Sequence, residues 1–233
     1  MTDPQPKLGR IYAPDERDRN HLLSFSREAQ QAAENVSHRY HYHQTILDQG
    51  DSSACTGAAA WQWLDMGPIR NKNKPDFMYI YQQSQLVDEW PGEEPEIYGS
   101  SVRASFKVMQ KLGFVKRYGW AFNVETLVNH VLTVSPAILG TVWTRDAFKT
   151  DKHGFLHFQG SVVGGHAYAV KGASRTIRCP DGSLGAIRCT QSWGRGFGQN
   201  GLFWISFKDL EMLIKDYGEA CTAFEQLAPA QPA

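Results

Sequence analysis

The stretch LDQGDSSACTGAAAW, Leu47 to Trp61, sets one cysteine at the junction of a polar run and an Ala-rich apolar run. Two readings fit Cys55. It is a small core residue, as buried cysteines often are, or it opens a helix whose positive dipole end lowers its pKa and favours the thiolate. Ser52 or Ser53 is placed to cap such a helix. Gln49, a little upstream, carries an amide able to donate to an oxyanion developing beside the sulfur.

A second candidate lies in VVGGHAYAV, where His166 follows Gly164 and Gly165 at the start of a strand. The two glycines let another backbone or a substrate come close, although a lone histidine on a strand is more often satisfied within the sheet. A third is CTQSWGRGFGQNG, in which Gly194, Gly196, Gly198 and Gly201 punctuate aromatic residues behind Gln191 and Trp193. The chain contains no serine-centred elbow, P-loop or dinucleotide fingerprint. In SHRYHYHQ, His41 and His43 alternate as on one strand face with His38 nearby, but nothing adjacent completes a metal site. A surface strand leading to Cys55 is the better reading, and His153 and His157 read as loop and strand residues.

The elements that must position these groups fall into two halves. At 233 residues, 42% hydrophobic and 21% charged, the chain is long enough for a sizeable core. Its formal net charge of zero gives no field that would favour nucleic acid or an anionic membrane. Apolar spacing predicts helices around residues 21–36, from Ala54 to about Met66, from Asp76 as N-cap with Phe77, Ile80, Tyr81 and Ser84 on one face, through GSSVRASFKVMQKLG, and through NVETLVNHVL. After Pro136 the texture becomes β-rich, with PAILGTVW, GGHAYAVKGA, LGAIRCTQSW and GLFWISF separated by glycines. Helices first and strands second predict an α+β protein of two lobes with a cleft between them. The expected divisions are an N-terminal arm (1–43), a helical lobe (44–133), an antiparallel β-sheet lobe (134–226) and a frayed tail (227–233).

The first 20 residues lack the apolar core of a signal peptide, and four cysteines are too few for a disulfide scaffold. A reducing, cytoplasmic setting is expected, with signal-independent export compatible. Cys179 and Cys189 flank an Asp-Gly turn and could face each other across two strands, although a disulfide there has little support. Cys221 reads as a buried structural thiol.

Taken together and in this order, DQGDSSACTG, GGHAYAV and QSWGRGFGQNG resemble the papain-like cysteine peptidases, especially compact bacterial and phage-type members. The likeness spans roughly residues 44–207 and takes in YGSSVRASFKVMQKLG and SPAILGTVW. It implies a cysteine peptidase that hydrolyses amide bonds of a peptide or protein through a thioester acyl-enzyme, without metal or cofactor. In that case Cys55 is the nucleophile and its N–H half of the oxyanion hole, with the Gln49 side-chain amide as the other half. His166 pairs with the thiolate and protonates the leaving amine. Trp193 covers the contact between His166 and its orienting residue.

Gln191 stands where the family has Asn, one methylene longer, and implies reduced or retuned rather than absent activity. The family's first cysteine before the nucleophile and the aromatic after it are also missing, and with them the usual disulfide. The Gly-rich wall of the substrate groove is not recognisable in DMGPIRNKNKP, and the first 40 residues look too short and unlike an inhibitory pro-segment, although the arm could block or align the cleft. Other Cys–His acyl-transfer enzymes on this fold (a deamidase, a transglutaminase-like enzyme, an isopeptidase) and a peptide-binding module without turnover share the same residues.

Overall fold

Alternation along two central strands decides the architecture. The computed structural model describes residues 7–42, 45–66, 68–90, 92 and 98–227. In β3 (Ala137–Thr144) and β4 (Val162–Arg178), Ile138, Ala167 and Ala169 face one core while Leu139, Tyr168 and Val170 face another. Side chains on successive residues of a strand point to opposite faces, so one sheet carries a core on each side.

The sheet is antiparallel throughout. Its order is β2 (Val115–Trp120), β7 (Glu219–Gln226), β3, β4, β5 (Leu184–Thr190) and β6 (Leu202–Ser206). A short β1 (His38–Tyr40) pairs with β4 beyond the end of β3, with Tyr40 opposite Gly172 where Ala137 is opposite Val170. The α+β class and the β-rich runs after Pro136 are as expected. The division into halves is less clean, because β2 comes from the segment expected to be helical and β1 from the arm.

On one face lie α2 (Cys55–Asp65), α3 (Phe77–Gln85) and α4 (Val102–Lys111). Nearly all of α2 is buried, and Ala58, Ala59, Ala60, Trp63 and Leu64 are fully so, which is why the segment reads as apolar all round. Trp63 donates from Nε1 to the Pro136 carbonyl at 2.8 Å and meets Phe106 edge-on, fastening the helix to the sheet. Side-chain caps start α3 and α4: Asp76 accepts from the Met78 N–H and Ser101 from the Ala104 N–H. Neither Ser52 nor Ser53 caps α2, whose N-cap is Ala54; the Ser52 hydroxyl donates to the Gln49 carbonyl instead.

The opposite core holds α5 (Val124–Thr133), capped by Asn123, and α6 (Phe207–Lys215), which the β-like run ahead of it concealed. Its entry is α1 (Arg27–Glu34), which packs on α5. The four cysteines are free and buried. Cys179 sits at the β4–β5 turn whereas Cys189 lies opposite Val170, so the two do not face each other across the strands.

Two histidines are sealed in this second core. His41 donates from Nε2 to the Val131 carbonyl at 2.9 Å, and His130 Nε2 meets the Ser135 and Thr222 hydroxyls at 2.9 and 3.1 Å. Burial lowers His41 to about 4 and His130 to about 3. His43 lies outside the described residues, and among the described residues no three His, Cys, Asp or Glu side chains form a metal-binding group. Between the unfolded value near 6.5 and these lowered values the unfolded chain binds more protons, so stability must fall with falling pH in that window. Urea unfolding is expected to give a lower stability at about pH 5 than at pH 7, with a smaller difference in His130→Gln.

Candidate active site

The nucleophile candidate, the histidine and the Gln-Ser-Trp segment arrive from three elements. Cys55 is the first residue of α2, His166 lies in β4, and Gln191 follows the last residue of β5. All three are fully buried. His166 donates from Nε2 to Gln191 Oε1 at 2.5 Å. The Ser192 N–H donates to the same atom at 2.9 Å, which identifies it as the amide oxygen and so fixes the proton on the far side of the ring. His166 Nδ1 keeps its lone pair and has no protein partner among the described residues. The extra methylene of Gln191 therefore leaves the imidazole oriented without a break in the loop, whose Gln191 N–H still bonds the Gly201 carbonyl at 2.8 Å.

Two indoles hold the ring. Trp193 lies 4.7 Å from His166 between centroids and Trp143 meets it edge-on at 4.8 Å, with Phe148 stacked on Trp193 at 5.5 Å. Trp193 was legible from its motif. Trp143 was not, because in PAILGTVW it reads as one more core residue, and only the β3–β4 register brings it beside β4's histidine.

Gln49 is locked to the same loop. Its N–H bonds the Ser192 carbonyl at 2.8 Å, and its Oε1 accepts from the Ser192 hydroxyl at 2.6 Å. This turns Nε2 outward as a donor: one bond reaches the Ser52 carbonyl at 2.6 Å and the other the Lys7 carbonyl at 3.1 Å. The Cys55 thiol is set against the backbone N–H of Ala167, next to His166, and that of Gly9.

Lys7 and Gly9 belong to the arm, which runs extended through the site. The Gly9 and Arg10 N–H groups both reach the Gly165 carbonyl, at 3.3 and 3.1 Å. On the other side Gly9 accepts from the Ser100 N–H and Ile11 donates to the Ser100 carbonyl, each at 2.9 Å, in a parallel pairing. The glycines make room. A Cβ on Gly165 would stand 2.3 Å from the Arg10 carbonyl, and one on Gly164 would stand 2.7 Å from Leu8. The groove wall opposite Gly165 is thus Gly99–Val102, whose sequence signals only the cap of α4.

Burial decides the protonation state. It pushes the Cys55 thiol up to about 11, although the Ala167 and Gly9 N–H groups and the Arg10 charge act the other way, and it lowers His166 to about 4 against the opposing bond to Gln191. With the arm in place the residues form a neutral thiol and a neutral imidazole, not the thiolate expected from the helix terminus. Desolvation outweighs the dipole here.

No protein-family model matches the chain, and no curated protein sequence does. Solved structures do. Xylellain, a cysteine protease from Xylella fastidiosa, superposes with a TM-score of 0.69 at 16% identity over 99% of this chain and 100% of its own. A recombinant stem bromelain precursor gives 0.62 at 13%, covering 92% and 76%. The procathepsin L2 proteinase of Tenebrio molitor gives 0.61 at 14%, covering 94% and 78%. The chain has the papain-like fold.

Gly9 leaves no room for a side chain, since a Cβ there would stand 1.8 Å from the Ser53 carbonyl oxygen. Gly9→Val should expel the arm from the groove. Intact-mass labelling with a small alkylator at about pH 6 is expected to be slow at Cys55 in the parent chain and at least about tenfold faster in Gly9→Val. Equal rates would mean that the arm does not control the thiol.

Proposed function

We propose that the chain is a thiol peptidase that hydrolyses peptide bonds through a thioester acyl-enzyme and carries its own arm in the substrate groove. The arm's backbone carries this reading: an extended peptide hydrogen-bonded on both sides, with one carbonyl on the Gln49 amide, is the kind of ligand the groove is shaped for. The precursor and procathepsin structures cover 92% and 94% of this chain, whereas the complex of bromelain with E64 covers 78%, which supports the arm as a pro-segment.

In the proposed cycle, departure of the arm readmits water and removes the main cause of the neutral pair. His166 Nδ1, whose lone pair Gln191 guarantees, takes the Cys55 proton. The thiolate attacks the substrate carbonyl, and the oxyanion is held by Gln49 Nε2 and the Cys55 backbone N–H. The imidazolium then gives its proton to the departing amine, breaking the C–N bond and leaving a thioester. Water, deprotonated by His166, hydrolyses that ester and restores the thiol. Trp143 and Trp193 keep bulk water from the His166–Gln191 bond, where it would compete for the amide oxygen.

In the Gly9→Val background, cleavage of a mixed peptide library is expected, and adding Cys55→Ala should remove it with the fold intact by circular dichroism. Turnover surviving that change rules out the nucleophile. Gln191→Asn should keep or raise activity, while Gln191→Leu should lower kcat by about 10- to 100-fold with little change in KM, since it frees the imidazole without touching the groove. A panel of glutamine amides, isopeptides and amine acceptors run beside the peptides separates hydrolysis of peptide bonds from other acyl transfer.

A further inference from the structure

The SHRYHYHQ stretch, which forms no metal site among the described residues, has two faces with different contacts. Arg39 and His41 turn inward and donate to the Leu132 and Val131 carbonyls at the end of α5. Tyr40 and Tyr42 alternate with them and face solvent, 44% and 56% exposed.

The row that Tyr40 begins continues across the sheet. Tyr40 is opposite Gly172, Gly172 opposite Arg188, and Arg188 opposite Trp204. A Cβ on Gly172 would stand 2.4 Å from the Tyr40 ring, so the phenol crosses over that position and meets Trp204 edge-on at 5.9 Å. The Arg188 guanidinium lies 4.6 Å over the Trp204 ring, and Phe155 stacks on the same indole at 6.0 Å. Val170 is opposite Cys189 and Gly172 opposite Arg188, which leaves Lys171 as an extra residue in β4. Such a bulge re-aims its side chain, and the Lys171 ammonium comes close enough to feel the Arg188 charge.

Two like charges side by side on a sheet repel, and nothing offsets these. Neither side chain makes a hydrogen bond or ion pair among the described residues, and Arg188 Nη1 is buried without a partner. Burial and the Arg188 charge lower the Lys171 amine, and burial lowers the Arg188 guanidinium, with no carboxylate acting on either. Arg70, 4.4 Å over the Tyr42 ring, differs in being joined to Asp65. What this face lacks is an anion. The Trp204 ring is taken up by Arg188 and Phe155, so it offers no stacking face to a nucleobase or a sugar. Left available are a guanidinium and an ammonium, which suit carboxylates, beside two exposed phenol rings.

We propose that the Tyr40–Lys171–Arg188–Trp204 face of the sheet docks an acidic segment of a partner protein. Its carboxylates pair with Lys171 and Arg188, and its apolar side chains lie on Tyr40 and Tyr42. Lys171 is five residues beyond His166 on β4, which sets this face roughly 17 Å from the groove. The proposal goes beyond the peptidase reading and does not depend on it.

The test is fluorescence anisotropy with the full chain in the Cys55→Ala background, using a labelled peptide of Glu-Leu-Gly repeats and its Gln-Leu-Gly counterpart. The glutamate peptide is expected to bind at least about tenfold tighter than the glutamine one. Lys171→Gln and Arg188→Gln should each weaken it, and together they should remove the preference. Arg178→Gln, an exposed arginine farther along β4, should leave binding unchanged. If Arg188→Gln does not fold by circular dichroism, Lys171→Glu takes its place with the same expected loss. Equal binding of the two peptides, or a preference that survives the paired substitutions, overturns the proposal. Tighter binding of single-stranded oligothymidylate or a heparin oligosaccharide at Lys171 and Arg188 overturns it too. The peptidase reading stands in each of these cases.

Discussion

Two strips of backbone, the Gly165 carbonyl on β4 and both polar groups of Ser100 ahead of α4, stand far enough apart to accept one extended chain between them. Buried backbone groups need partners, and here the arm supplies them from both sides. Most of what is distinctive in the site follows from that requirement. It explains the glycines at positions 9 and 165, which remove side chains where main chains meet, and Gly164, which leaves room for the Leu8 side chain. It also explains why Cys55 and His166 are dry, and therefore neutral, in this state.

The arm is held by more than its backbone. Arg103 on α4, almost fully buried, bonds Asp18 within the 3-10 turn Glu16–His21 and reaches Glu89 at 2.8 Å. Leu23 donates to the Trp120 carbonyl at 2.9 Å, and β1 then joins the sheet. Buried ion pairs contribute little net stability relative to a well-packed apolar core, but separating one is expensive because an uncompensated charge remains. The charged anchors therefore specify where the arm lies more than they stabilise the fold, and they oppose partial withdrawal.

Much of the site was legible because its residues are gathered in three short motifs, although the motifs themselves lie up to 143 positions apart. Gln49, Cys55, Gly164, Gly165, His166, Gln191 and Trp193 were singled out from three short motifs. The structure groups Gln49 with the 191–193 loop, sets His166 on Gln191 and under Trp193, and lays Cys55 against the residue after His166. What escaped carries no motif of its own. Trp143 reaches His166 through strand register alone, and Arg10 meets Glu219 across 209 positions, a pairing with no local signature. α6 escaped because Phe203 and Ile205 continue a strand pattern up to its Ser206 cap, and β7 because EACTAFEQ carries no turn signal. Helix-terminus reasoning put Cys55 at the start of α2, but a dipole argument contains no information about what covers the thiol, and in this state burial pushes it up.

Because the occupant of the groove is covalently part of the chain, it is present at an effective concentration set by its tether, not by how much protein is in solution. For short connections that concentration is of order millimolar. Dilution leaves it unchanged, and a competing peptide at micromolar levels meets an opponent about a thousandfold more abundant at the site. Under the peptidase function proposed above, latency of this kind would be independent of protein copy number and would end when the tether is cut or its anchors are claimed by something else.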